Sequence, residues 1–280
     1  MNENIHRCIV GNFSLKDAFD LMDIFFEAGY LSVSAVEEND HWLLEVLDNK
    51  PIAVEHMSVM LKSYQYSVLK SEKVAPVNWL KKCFENFKPL EVGNFYIFGN
   101  HLRNTPIPVD KIAIEITAAT AFGTGEHPTT NRCLMACQTF FDARRHKTSL
   151  DIGSGSGILS IALAKLGCKC VMACDNDPEA VRVTKNNLIT NKVDHRVGVF
   201  RNESHEFAAK NYDFIVANIL SEPLVAMSTY VTDCLAPGGL LVLSGFTSGD
   251  KSVIDQYVSL ALAVKYVYNY REWSTVVFEK

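Results

Sequence analysis

The hydrophobic rhythm divides this chain into a short N-terminal stretch and a longer C-terminal one. Leu15, Ala18, Phe19, Leu21, Met22, Phe25 and Phe26 recur three and four residues apart, which predicts an amphipathic helix. Ser14 stands where it can cap that helix, Asp17 suits its first turn and Gly29 its end. Strand-like runs surround it at residues 5–10, 31–36 and 42–47, the last two joined by the acidic turn Glu37-Glu38-Asn39-Asp40. A second helical face follows at 54–61 and a short strand at 66–69. The order β-α-β-β-α-β is the ferredoxin-like arrangement, expected over residues 1–70. This stretch holds no nucleophile–base pair and no metal-ligand set. It reads either as a folding module or as a recognition domain for a macromolecular substrate. Residues 71–90 read as a connector, with Asn78-Trp79-Leu80 opening a short helix that ends before Pro89.

From residue 91 onward the rhythm changes. Strands are expected at 95–98 and 112–116, then a helix at 129–141. A strand ends at Asp151, and Ile158, Leu159, Ile161, Ala162, Leu163 and Leu166 then recur at helical spacing up to Gly167. The next strand, 168–174, is followed by Asp175. Asp177 and Pro178 open a further helix reaching residue 191. Strands at 195–200 and 212–217 follow, the latter continuous and apolar as a buried parallel strand is. Pro237-Gly238-Gly239 turns the chain into a strand at 240–244, a helix covers 253–262, and 265–270 with 275–278 form a closing hairpin. The expected class is α/β: a Rossmann-like seven-stranded sheet behind a smaller α+β domain.

The stretch between Asp151 and Asp175 carries the candidate chemistry. Gly153, Gly155 and Gly157 let a turn tighten and a ligand lie against backbone. The N–H groups opening the following helix favour an anionic group. Asp175 stands 22 residues after Gly153, close to the offset of a ribose-binding acid. Ile158 occupies the sixth position of what would be a dinucleotide GxGxxG, so the pattern is DxGxGxG. That pattern resembles the first motif of class I S-adenosylmethionine (SAM) methyltransferases.

Two further stretches converge on the same crevice. The loop 121–130, AFGTGEHPTT, can fold over a ligand, with Thr129 or Thr130 capping a helix or bonding a cofactor carboxylate. His127 reads as a loop histidine bonded to backbone or as a base. Asn218 closes the strand 212–217, and ligands of open parallel sheets sit at such strand ends. Glu203 and Glu206 lie where a loop meets an adenine edge or merely solvent.

Composition excludes little but sharpens this. A net charge of −5 argues against a nucleic-acid binder. No segment approaches a membrane span, and the N-terminus lacks a signal-peptide pattern. The eight cysteines form no CxxC and join no histidine at zinc spacing, so they read as packing residues in a reducing cytoplasm.

Taken together in order, AFGTGEHPTT, LDIGSGSGILSIALAKLG, DNDPEAV, VANIL and PGGLLVLSG resemble the PrmA family, the methyltransferases of ribosomal large-subunit protein eleven. The resemblance spans essentially the whole chain, and FGTGxHPTT is its most specific element. It implies an N-terminal substrate-binding domain, a linker and a catalytic domain over 91–280. It implies SAM contacts at Thr130, Gly153, Asp175 and Asn218; Asp151 and Gly155 of the glycine turn complete the expected cofactor-binding set. Asn218 is also expected to position the acceptor amine. The substrate implied is ribosomal large-subunit protein eleven, methylated on lysine or N-terminal amines; separately, a cytoplasmic monomer is expected. ITAATAFGTG replaces a common LDPGLAFGTG, and Glu126 fills a variable place. Other readings of the same cleft are a SAM-dependent N-methyltransferase of another protein or a small amine, and a non-catalytic SAM-binding module on the ribosome. An NAD(P) oxidoreductase is disfavoured by the glycine spacing.

Overall fold

The structure is a computed structural model that describes residues 5–38, 41–53, 57–59, 61, 62, 64, 66–74, 88–117, 127–202 and 211–280. The chain divides into two compact units, residues 1–83 and 84–280.

The first unit contains β1 (Ile5–Phe13), α1 (Leu15–Glu27), β2 (Ser32–Glu38), β3 (His41–Asp48) and β4 (Ser67–Val74). Its antiparallel sheet has the order β2-β3-β1-β4. That is the ferredoxin-like order. Ser14 caps α1 as its sequence position suggests: its Oγ accepts the Asp17 N–H at 3.2 Å and donates to Asp17 Oδ2 at 2.7 Å. Gly29, at φ 84°, lets the chain leave the helix. Cys8, Val10, Leu44 and Val46 alternate onto one face of the sheet and bury against Ala18, Leu21 and Phe25 of α1. Of the expected second helix, Met57–Val59 is helical and Met57 joins the core; residues 54–56 and 60 lie outside the described residues. β4 runs to Val74, past the strand end at 69 and the boundary at 70 read from the sequence, because pairing with β1 continues from Ser67 opposite Gly11 to Val74 opposite Ile5. Its polar residues hid the strand: β4 is an edge strand, where charge is tolerated. The expected connector helix from residue 78 lies outside the described residues.

The second unit opens with a small sheet, β5 (Leu90–Val92), β6 (Phe95–Gly99) and β7 (Ile112–Ile116), paired in that order. The main sheet comprises β8 (Thr148–Ile152), β9 (Cys170–Asp175), β10 (Val197–Arg201), β11 (Tyr212–Asn218), β12 (Leu235–Thr247), β13 (Ala263–Tyr270) and β14 (Trp273–Glu279). Its order is β10-β9-β8-β11-β12-β14-β13, parallel through β12, with β14 antiparallel to both neighbours. The helices are α2 (Pro128–Phe140), α3 (Ile158–Lys165), α4 (Pro178–Thr190), α5 (Ser221–Ala226), α6 (Ser228–Cys234) and α7 (Ser252–Ser259). This is the seven-stranded class I methyltransferase layout expected from the sequence.

Both faces of this sheet are buried, as a parallel sheet requires. Phe214 and Val216 of β11 enter one core with α2 and α3; Ile215 and Ala217 enter the other with α5, α6 and α7. The strand therefore divides its residues between two cores with period two. α3 has apolar residues on every side because it is buried throughout. The expected turn at Pro237-Gly238-Gly239 lies inside β12. Gly238 N–H donates to Lys280 O at 2.8 Å and Lys280 N–H to Gly239 O at 3.1 Å, so the segment stays in the ladder. Strand order reverses between β8 and β11, and their carboxyl ends open a crevice there.

Candidate active site

The crevice begins with the glycine turn after β8. Gly153, Gly155 and Gly157 all have positive φ, 72°, 52° and 81°. The Gly153 and Ser154 N–H groups both donate to Cys174 O of β9, at 2.9 and 3.0 Å. A Cβ on Gly153 would stand 2.3 Å from Ile219 Cγ2, so only glycine fits between the turn and the segment after β11.

Asp175 ties the turn to the end of β9. Its Oδ2 accepts the Gly155 N–H at 2.9 Å and its Oδ1 the Asp177 N–H at 3.0 Å. Each oxygen keeps a lone pair for a further donor. Asp151 is placed differently. It is fully buried, and its Oδ2 accepts the Ser160 N–H at 3.0 Å and the Ser160 hydroxyl at 2.6 Å. It thus caps the first turn of α3 with a negative charge. Its Oδ1 is buried without a hydrogen-bond partner among the described residues. Burial outweighs the Ser160 bonds and raises its pKa to about 6.

Asn218 closes β11 opposite the turn. Its Nδ2 donates to Thr130 Oγ1 at 3.1 Å, which leaves Oδ1 buried with no partner among the described residues. Thr130 is 1% exposed on the first turn of α2, behind Asn218. The backbone at Ile219 is clamped by β12: its N–H donates to Ser244 O at 3.1 Å, and Gly245 lies so close that a Cβ would stand 2.2 Å from Ile219 O.

α2 enters from the other side. His127 caps it, with Nδ1 accepting the Thr129 N–H at 3.3 Å and lying 2.7 Å from Thr129 Oγ1. Those contacts make Nδ1 the acceptor and put the neutral ring's proton on Nε2. Burial lowers the His127 pKa, against a smaller opposing pull from Glu272. Its ring meets Trp273 of β14 edge to face, centroids 4.9 Å apart.

These elements enclose a cavity of about 480 Å³, within the range of small-molecule sites. Gly153, Gly155, Asp175 and Asn218 line it, with Ile219, Met227 and Trp273 among its apolar walls. Thr129 lines it too, whereas Thr130 and Asp151 stand behind the wall. Glu203, Glu206 and the loop 118–126 lie outside the described residues. The cysteines are packing groups: those described are free thiols, all buried except Cys170, and burial pushes Cys174 up to about 12.

A family model described as ribosomal protein L11 methyltransferase (PrmA) matches residues 24–280. The chain belongs to this family. A ribosomal protein L11 methyltransferase of Rhizobium rhizogenes is 34% identical over 241 residues, covering 82% of each chain. One from Rhizobium leguminosarum bv. trifolii is 36% identical over 280 residues, covering 95% of this chain and 94% of its own. The crystal structure of ribosomal protein L11 methylase from Lactobacillus delbrueckii subsp. bulgaricus shares the fold, with TM-score 0.62 and 24% identity over 69% of this chain and 98% of that one. As a PrmA-family member the chain is a methyltransferase that uses S-adenosylmethionine as methyl donor.

The crevice fits that donor. The paired lone pairs of Asp175 suit two ribose hydroxyls, Gly153 and Gly155 bring backbone to the cavity surface, and Ile152, Ile219 and Met227 offer an apolar wall. Sequence reasoning missed Ile219, Gly245 and Trp273. Ile219 follows Asn218 directly and could have been found by extending the strand-end argument one residue. Trp273 could not, because a tertiary approach of β14 to α2 brings it in.

Proposed function

We propose that this PrmA-family protein transfers methyl groups to lysine side-chain or N-terminal amines of ribosomal protein L11, with Asn218 positioning the amine. The observation that carries the reading is Asn218 itself: its side chain lines the cavity, is held by Thr130, and keeps a buried Oδ1 with no hydrogen-bond partner among the described residues. A buried polar atom without a partner awaits one. When bound, S-adenosylmethionine supplies an electrophilic methyl group that needs no covalent help from the protein. The chain's task is orientation and proton state. A free lysine has a pKa of about 10.4, so the reactive amine is scarce in water at neutral pH. The apolar walls of the cavity disfavour the ammonium and lower that value. Asn218 Oδ1 then accepts an amine N–H and turns the nitrogen lone pair toward the donor side of the cavity. Asp175, Gly153 and Gly155 hold the cofactor, Thr130 acts through Asn218, and Asp151 acts through α3. His127, its Nδ1 committed to α2, is read as a wall residue.

Residues 1–70 are read as the recognition domain. A monomer is the proposed assembly. A cytoplasmic site of action is supported by free, buried thiols. No direct nucleic-acid contact is proposed, given the net charge of −5.

Mass spectrometry of L11 incubated with this protein and S-adenosylmethionine is the test. Gains in whole methyl increments mapped to amines are expected, and Asn218→Ala should lower kcat about a hundredfold while moving the melting temperature little. Unaltered turnover in that variant would remove Asn218 from its role. No methyl gain on L11, with cofactor binding measured separately, would move the substrate to another amine.

A further inference from the structure

A track of aromatic rings leaves the cavity along β13. Trp273 lines the cavity and is the cross-strand partner of Tyr270. Cross-strand partners project to one face, and Tyr268 and Tyr266 follow on that face at two-residue steps. Tyr266 stacks on Tyr268 with centroids 4.8 Å apart and meets Phe140 of α2 at 5.5 Å. The outer rings stay open, with Tyr266 51% and Tyr270 41% exposed.

Two guanidinium groups attend Tyr270: Arg132 of α2 at 4.8 Å from the ring centre and Arg271 at 5.7 Å. Among the described residues neither forms an ion pair, although Arg7, Arg103 and Arg182 all do. Arg271 sits in the two-residue turn between β13 and β14 at φ 53°, a left-handed position that glycine or asparagine ordinarily fills. A guanidinium laid on a ring keeps its N–H edge available, preorganised for a planar carboxylate.

We propose that this track binds an extended, carboxylate-bearing segment of the acceptor polypeptide and steers its amine into the cavity. The inference rests on the reading that the cavity takes a polypeptide amine. Rings at alternate positions of a strand match alternate side chains of an extended segment. The number of free guanidinium groups favours an acidic peptide over a nucleic acid. A nucleic acid would bring a phosphate at every step, whereas among the described residues the track offers two guanidinium groups outside ion pairs, a match for one or two carboxylates.

Fluorescence anisotropy on the full chain tests the track directly, using a short labelled glutamate-rich peptide and a short labelled single-stranded RNA. The peptide's Kd should rise about tenfold in R132Q/R271Q, and wild-type affinity should fall with added salt. An unchanged peptide Kd in the double variant overturns the proposal, as does RNA binding tighter than the peptide and lost in that variant. In methyl transfer to L11 the same variant should raise KM about tenfold, with the larger share of the effect in KM rather than kcat. A wild-type protein that binds S-adenosylmethionine but leaves L11 unmodified would sink the proposed substrate, while the anisotropy result would still decide the track.

Discussion

The Arg7 cluster of the N-terminal unit and the crevice residues of the C-terminal unit hold their polar side chains in opposite ways. In the N-terminal unit they lie on the open face of a sheet: Arg7 bonds Glu45 and reaches Glu72 Oε1 at 3.1 Å, and Lys70 pairs with Glu72 Oε2 at 2.9 Å. These groups are only partly buried, so water competes for every partner. In the C-terminal unit Asp151, Asp175 and Asn218 stand at or beside strand ends, held by named N–H or hydroxyl groups in positions that glycine turns shape. An open-face pair can be rearranged at small cost. A strand-end group admits one arrangement, because the backbone around it has no room to move. The contrast predicts that substitutions near the crevice will be severe and specific, and those on the N-terminal face mild and salt-dependent.

Gly245→Ala presses hardest on that contrast. The residue has φ 98°, and its added Cβ would meet Ile219 O, C and N at 2.2, 2.7 and 2.9 Å. Backbone atoms cannot rotate away as a side chain does, so strain and overpacking should together cost about 3–4 kcal/mol in urea unfolding. Gly249→Ala is the internal control: nothing lies within 4 Å of its Cβ position, and its stability should hardly change. Equal losses at the two glycines would mean that the clamp on Ile219 is not what shapes the crevice. Asp175→Ala comes next. It removes the acceptor of the Gly155 and Asp177 N–H groups and the proposed ribose contacts. Cofactor Kd by calorimetry should rise about thirtyfold, the size of a lost charge-assisted pair. A Kd within a factor of about two of wild type would remove Asp175 from the cofactor site.

How legible these positions were depended on how local their cause is. Gly153 and Asp175 were readable because a left-handed turn and an acid at a strand end are consequences of a few adjacent residues. The ferredoxin-like order and the seven strands were readable from periodicity, since burial on one or two faces writes itself into the sequence. Thr129 and Thr130 were not separable in advance: they are one helical step apart, and tertiary packing put Thr129 at the wall and Thr130 behind Asn218. Asp151 reads as a ligand contact within DxGxGxG, yet its pleat directs it to Ser160 rather than to the cavity. α5 and α6 were missed between the strands they join, because their short runs, six and seven residues, give periodicity too little length to register. His127 against Trp273 is a meeting of residues far apart in sequence, and no local pattern announces it.

Asp151 offers a finer test of the strand-end group. Burial raises its pKa to about 6, above the unfolded carboxylate value of about 3.9. Between those values the folded chain holds a proton that the unfolded chain has lost. The group's stabilising contribution is therefore full below about pH 4 and is lost as pH rises through about 6. Asp151→Asn cannot titrate, while His127 and His146 remain in both proteins and cancel in the comparison. From pH 4 to pH 7 wild type should lose about 2–3 kcal/mol relative to the variant. A gap that stays flat across that range would mean that the carboxylate remains ionised at Ser160 throughout.

The mildest change belongs to the other unit. Arg7→Ala breaks the contacts to both Glu45 and Glu72. Those contacts hold the Glu72 carboxyl below its usual range, with Lys70 the larger cause and Arg7 the smaller. Lys70 remains after the substitution, the glutamates still reach water, and the apolar face of Cys8, Val10, Leu44 and Val46 is untouched. The melting temperature should move by a few degrees at most, and added salt should shrink the difference further by screening the pair in wild type. Cofactor affinity should stay as it was, since the described residues that line the cavity lie between His127 and Trp273. A large loss from Arg7→Ala that salt does not reduce would place this arginine with the strand-end groups, held by geometry rather than by exchangeable charge, and the contrast between the two units would fail at its N-terminal side.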